Sequence, residues 1–167
     1  MPVPLLLENN VHEPVFDLLL IAHVATALVG FGTLVASGVQ ALRVQRTPPG
    51  ELAESLRRYF TPGFNWAGRV VYGVPLFGFL LLADSGGHLR LSYPWVEAGL
   101  GLWVISILLA EGLLWPAERR IQAALAAGSV VGLSSSVRRD CLVVAALGGF
   151  LGVVFVVVTV LMVARPH

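Results

Sequence analysis

Three long apolar runs and a shorter fourth limit what this chain can fold into. Val15 to Leu42 reads VFDLLLIAHVATALVGFGTLVASGVQAL, and Trp95 to Trp115 and Cys141 to Ala164 are similar in character. A helix rises 1.5 Å per residue, so about 20 apolar residues cross the roughly 30 Å of hydrocarbon in a bilayer. Those three runs meet that length. The fourth, Val70 to Ala83, is short and holds Pro75. Extended back through Trp66 it reaches span length, and membrane helices tolerate proline because neighbours satisfy the carbonyl it orphans. The expectation is an all-α polytopic membrane protein: one domain, a four-transmembrane-helix bundle with spans at 15–42, 65–84, 95–115 and 141–164. Composition agrees. Charged residues make up 13% of the 167, against about 25% in soluble domains, and mean hydropathy is +0.81. The first sixteen residues lack the basic stretch that opens a signal peptide, so the N-terminus is expected to be retained.

Arginine sets the orientation. All eleven basic residues are arginine, and nine fall in two loops. Arg43, Arg46, Arg57, Arg58 and Arg69 lie between spans one and two, and Arg119, Arg120, Arg138 and Arg139 between spans three and four. Basic loops stay on the cytoplasmic side, which puts both termini and the 84–94 loop outside. A lysine-free chain rich in Ala, Gly, Val and Leu points to a GC-rich bacterial genome and hence to the plasma membrane. The net charge of +1 gives no basic excess for nucleic acid, so the expected partner is the lipid bilayer. A single cysteine, Cys141, excludes an internal disulfide and any Cys-based metal motif.

The loops carry helical signals. Thr47-Pro48-Pro49-Gly50 is a breaker, after which Leu52, Leu56, Tyr59 and Phe60 share one face of a short amphipathic helix over 51–60. Pro116 to Ala127 continues span three as helix until Gly128 and Gly132 break it, and Ser134, Ser135 or Ser136 caps span four. Trp95 and Trp115, about 30 Å apart along a helix, would bracket span three at the headgroup levels. Small residues recur at four-residue spacing: Ala22, Thr26 and Gly30 on span one, and Gly148 and Gly152 on span four with Ala145 and Gly149 beside them. Such faces allow close helix contact, within one chain or between copies.

Ionisable groups inside a bilayer are expensive and call for an explanation. His23 lies roughly 12 Å into span one and Glu111 roughly 24 Å into span three, both counted from the outer side. That difference in depth argues against a direct bond between them. Glu111 instead shares its depth with Arg69, and the expected structural ion pair is Arg69–Glu111; the alternative is a proton or cation site at Glu111. His23 reads either as a neutral imidazole bonded to a backbone carbonyl or Thr26, or as a haem or metal ligand. All four histidines (His12, His23, His88 and His167) fall in the outer half with Glu13, Asp17, Asp84 and Glu97. That donor set suits Zn or Cu, but no tight ligand spacing occurs and no metal site is expected. Cys141 reads as a buried thiol, and Gly30-Phe31-Gly32 as a packing site rather than a cofactor loop.

His23 followed by Gly30 and Gly32, together with Trp95…Gly101-Leu102-Trp103…Leu114-Trp115-Pro116-Ala117-Glu118-Arg119-Arg120, resembles a family of predicted bacterial four-helix integral membrane proteins of unknown function. The resemblance covers most of the chain and implies a bacterial plasma-membrane location with no established activity. The histidine of span one is also similar to that of the bacterial haem-pathway protoporphyrinogen oxidase, another four-helix protein, which pairs it with a lysine on a later helix. This chain has no lysine, so only His23 carries over, as a haem or porphyrin contact. With no catalytic constellation, the expected function is a small non-enzymatic membrane protein that self-associates or joins a larger membrane complex. The alternatives are a haem-binding redox protein using His23 and a small transporter using Glu111 and His23.

Overall fold

The structure, a computed structural model, describes residues 13–48, 54–63, 65–127 and 134–164. Every regular element among them is helical: α1 (Glu13–Arg46), α2 (Glu54–Tyr59), α3 (Trp66–Arg69), a 3-10 turn (Val70–Tyr72), α4 (Gly73–Asp84), α5 (Pro94–Leu109), a π-turn (Ala110–Leu114), α6 (Trp115–Ala126) and α7 (Ser135–Ala164). These join into four helices long and apolar enough to cross a membrane, Pro14–Arg46, Trp66–Asp84, Pro94–Ala126 and Ser135–Ala164. The protein is an all-α membrane bundle. Its helices outrun the apolar stretches at the arginine-rich end. The polar first turns of α7, from Ser135 to Asp140, are helical, and the Val137 amide donates to the Ser134 hydroxyl at 3.4 Å.

Polarity is distributed inside out. Leu18, Ile21, Val153 and Val163 are 63–79% exposed, as suits side chains facing lipid, while Ser37, Ser106, Glu118, Gln122 and Asp140 are buried. α1 is central, packed along both α7 and α4, and α7 in turn meets α5 and α6. Glycine sets the closeness of those contacts. A Cβ on Gly148 would stand 2.8 Å from the Gly38 Cα, and one on Gly30 would stand 2.6 Å from the Val71 Cα. The span-four face at Gly148 and Gly152 therefore meets span one at Gly38 and Val35, whereas the span-one face at Thr26 and Gly30 meets Gly73 and Val71 of span two. Gly149 and Gly32, by contrast, have open space where a side chain would go.

Two prolines shape the helices near their middles. Pro75 has no N–H for the carbonyl four residues earlier, that of Val71, and the backbone tightens there into the 3-10 turn. The Trp103 indole donates to the Val71 carbonyl at 3.0 Å, tying span three to span two at the defect. Pro116 likewise has no N–H for Gly112, and the ladder ahead of it widens into the π-turn. Trp103→Phe is expected to lose about 1–3 kcal/mol through the unpaired carbonyl. Adding Pro75→Ala, which restores the missing N–H, should recover part of that loss in a denaturant titration of the detergent-solubilised protein.

The span two–three connection reverses at Gly86 and Gly87, both at positive φ (+59° and +90°), where glycine has no Cβ to clash. Ser85 seals the turn by donating to the Leu82 carbonyl at 2.8 Å and accepting from the Leu89 amide at 3.1 Å. At the other end α2 lays Leu56 and the following Phe60 into the core, 7% and 1% exposed. This short helix is therefore a packed lid on the bundle; Leu52 lies outside the described residues.

Candidate functional site

His23 sits half-buried where α1 crosses α4. Its Nδ1 bonds the Val74 carbonyl at 2.9 Å. A carbonyl can only accept, so Nδ1 carries the proton and Nε2 is the acceptor nitrogen. Gly78 makes the room: a Cβ there would meet the imidazole at 3.4 Å. Thr26, one turn on, donates its hydroxyl to the His23 backbone carbonyl at 2.9 Å, not to the ring.

Glu111 falls within the π-turn, where the widened ladder turns it outward, and its side chain is 42% exposed. Arg69 Nη1 donates to Glu111 Oε1 at 3.3 Å, and the Tyr72 hydroxyl donates to the same oxygen at 2.6 Å. The Arg69 guanidinium also lies 4.2 Å above the Trp115 ring, an arrangement that adds cation–π attraction. Trp115 itself turns inward, at 3% exposure with its indole Nε1 unpartnered among the described residues. It stacks within the bundle instead of presenting its N–H at the headgroup level, with its indole nitrogen in van der Waals reach of Gly68 on α3.

The most enclosed polar group lies deeper towards the arginine-rich end. Glu118, one turn into α6, is 3% exposed. Its Oε1 accepts from the Ser37 hydroxyl at 3.2 Å and from Asn65 Nδ2 at 3.5 Å. The Tyr59 hydroxyl is 2.8 Å from the Ser37 oxygen. Serine has one hydroxyl proton, already given to Glu118, so Tyr59 donates to Ser37. Burial, together with the Glu118 charge, holds the Tyr59 phenol above its usual value. Asn65 doubles as the cap of α3, accepting from the Gly68 amide at 3.1 Å. Four elements thus converge on one carboxylate; its hydrogen-bond donors among the described residues are neutral, and Arg119, its neighbour on α6, acts on it through space without forming an ion pair. A groove of about 580 Å³ opens beside it, with Tyr59, Asn65, Glu118 and Gln122 at one end and Leu28 and Val29 of α1 at the other.

Two residues beyond Glu118, Arg120 grips Asp140 of α7 with two parallel bonds, Nε to Oδ2 at 2.9 Å and Nη2 to Oδ1 at 2.8 Å. This pair clamps spans three and four. Cys141 beside it is buried.

Residues 17–166 match DUF2269, described as a predicted integral membrane protein. The chain belongs to that family. No curated protein and no solved structure matches it.

In this DUF2269 member the residues singled out by sequence fall in two separate places. Arg69 and Glu111 come together; His23 lies apart from them, against the Val74 carbonyl. Among the described residues no three His, Cys, Asp or Glu side chains come together as a metal-ligand group, and His12 and His167 lie outside those residues. The Glu118 cluster was not anticipated. Its one sequence signal is weak: Glu118 and Gln122 share a face with Trp115 and Ile121 on α6, so a carboxylate lies on the apolar side of an amphipathic helix. Ser37 in an apolar helix and Tyr59 on the separate short helix α2 gave no reason to be joined to it.

Proposed function

We propose that this protein is a non-enzymatic accessory bundle of the bacterial plasma membrane, multi-pass with both termini outside, that works by assembling with a second membrane protein or with itself. The carrying observation is the Arg69–Glu111 pair with Tyr72, on the outer surface of the bundle at the π-turn. Polar groups facing lipid are costly, and interhelical polar contacts hold membrane helices together. Beside the pair, Gly112 has open space where a side chain would go, and Leu108 and Leu113 stand exposed, so a neighbouring helix can approach closely. Collection of arginine at one end supports the orientation.

The test is light scattering of the protein extracted with its native lipids into nanodisc-type particles. The reading expects a mass above that of one chain, from a second copy or a stoichiometric companion. Gly112→Leu, which fills the open space, should return the particle to a single chain with unchanged folded yield. A single chain in wild type would remove the reading.

One observation favours a second reading. The Nδ1–H···O=C bond of His23 is the support that a ligating imidazole receives from its surroundings, and it leaves Nε2 to hold haem iron. The same preparation decides it. A Soret band that His23→Ala abolishes would support haem, and a flat spectrum from haem-replete cells would end the idea.

A further inference from the structure

We propose that the groove at Glu118 is a binding site for the primary-ammonium headgroup of a bilayer lipid. A carboxylate removed from water is strongly penalised unless a positive charge compensates it. Glu118 is buried, yet among the described residues its hydrogen bonds come only from the neutral donors Ser37 and Asn65, both on Oε1, and the Arg119 charge reaches it through space without a direct contact. Oε2 has no partner among those residues, and Glu118 lines the groove. Among the described residues no cation touches the carboxylate.

The neighbouring groups specify which cation. The Tyr59 hydroxyl has given its proton to Ser37, so its oxygen is left to accept. Gln122 is 8% exposed, lines the same groove and makes no side-chain hydrogen bond among the described residues. Glu118 Oε2, the Tyr59 oxygen and the Gln122 carbonyl make three acceptors at one end of the groove. A primary ammonium has three N–H donors to match. A quaternary ammonium has none.

The far end of the groove says where the ammonium comes from. Leu28 and Val29 are 56% and 48% exposed, and Leu28 lies two and a half turns along α1 from Ser37, about 13 Å towards the middle of the span. The groove therefore runs from a polar pocket at the arginine-rich end to an apolar wall at hydrocarbon depth. That is the profile of an amphiphile and not of a free amine. Gly32 and Ala36 line the stretch between, and the absence of any atom within 4 Å of a Cβ at Gly32 keeps the path open.

The full-length protein in mild detergent, titrated with phosphatidylethanolamine or phosphatidylcholine of identical chains and read by native mass spectrometry, tests this. Wild type should hold the ethanolamine lipid at least ten-fold more tightly. Glu118→Gln should bring the two lipids to parity. Gly32→Leu, which puts a side chain into the open groove without touching the packed faces, should abolish the preference and keeps the test sharp should the Glu118 variant fold poorly. Millimolar free ethanolamine should leave the lipid adduct in place. Equal binding of both lipids by wild type, as for a carboxylate that simply takes up a proton, would overturn the proposal. So would a preference that survives in Gly32→Leu, or displacement by free ethanolamine.

Discussion

Gly148→Ala is expected to destabilise the bundle by about 3 kcal/mol, at the upper end for overpacking by one methyl group. The added Cβ meets backbone on the facing helix, the Gly38 Cα at 2.8 Å and the Leu34 carbonyl oxygen at 2.9 Å, and backbone cannot rotate away as a side chain can. α1 and α7 must separate, and α1 carries the packing of α4 as well. Gly149→Ala is the internal control. It is the same substitution one residue along the same helix, with nothing within 4 Å of the new methyl, so helix propensity cancels between the two. The control should lie within about 0.5 kcal/mol of wild type, the cost typical of surface changes. SDS titration followed by circular dichroism separates the two variants, and equal stabilities would mean that the α1–α7 contact is not made by these glycines.

Loss of the Arg120–Asp140 clamp should have the next largest effect. The Asp140 side chain is 5% exposed while that of Arg120 is 57% exposed, so the arginine is reached by water and the carboxylate is not. Arg120→Met strands the carboxylate and should cost about 2 kcal/mol, within the range for charge-assisted hydrogen bonds. Full burial of both partners would cost more. Arg120→Met combined with Asp140→Leu should recover most of the loss, because an apolar pair of similar volume leaves no stranded charge. If Arg120→Met proved silent, spans three and four would owe nothing to the pair.

Both effects depend on who faces whom, and that is where the sequence runs out. Span positions were legible because the cost of moving a residue into hydrocarbon adds up along a stretch of chain, whatever the rest of the protein does. Pro75 could be accepted within span two on general grounds. That its orphaned carbonyl would be taken by Trp103 could not be known, since the two lie far apart in the chain. Arg69 and Glu111 could be set at one depth by counting residues. The outward turn of Glu111 depends on the π-turn ahead of Pro116, a widening that residue counting does not foresee. Trp115 at the edge of a span reads as an interfacial anchor; packing against other helices makes it a core residue.

The apolar runs by themselves determined that this is an all-α membrane protein with four spans, because length and hydrophobicity are local sums. The choice of glycines that touch, Gly148 and not Gly149, was decided only by the tertiary structure. So was the meeting of Ser37, Asn65 and Tyr59 around Glu118. Packing and hydrogen bonding act over a few ångströms between helices, and the pairings follow from how the helices are rotated and crossed, which no count along the chain contains.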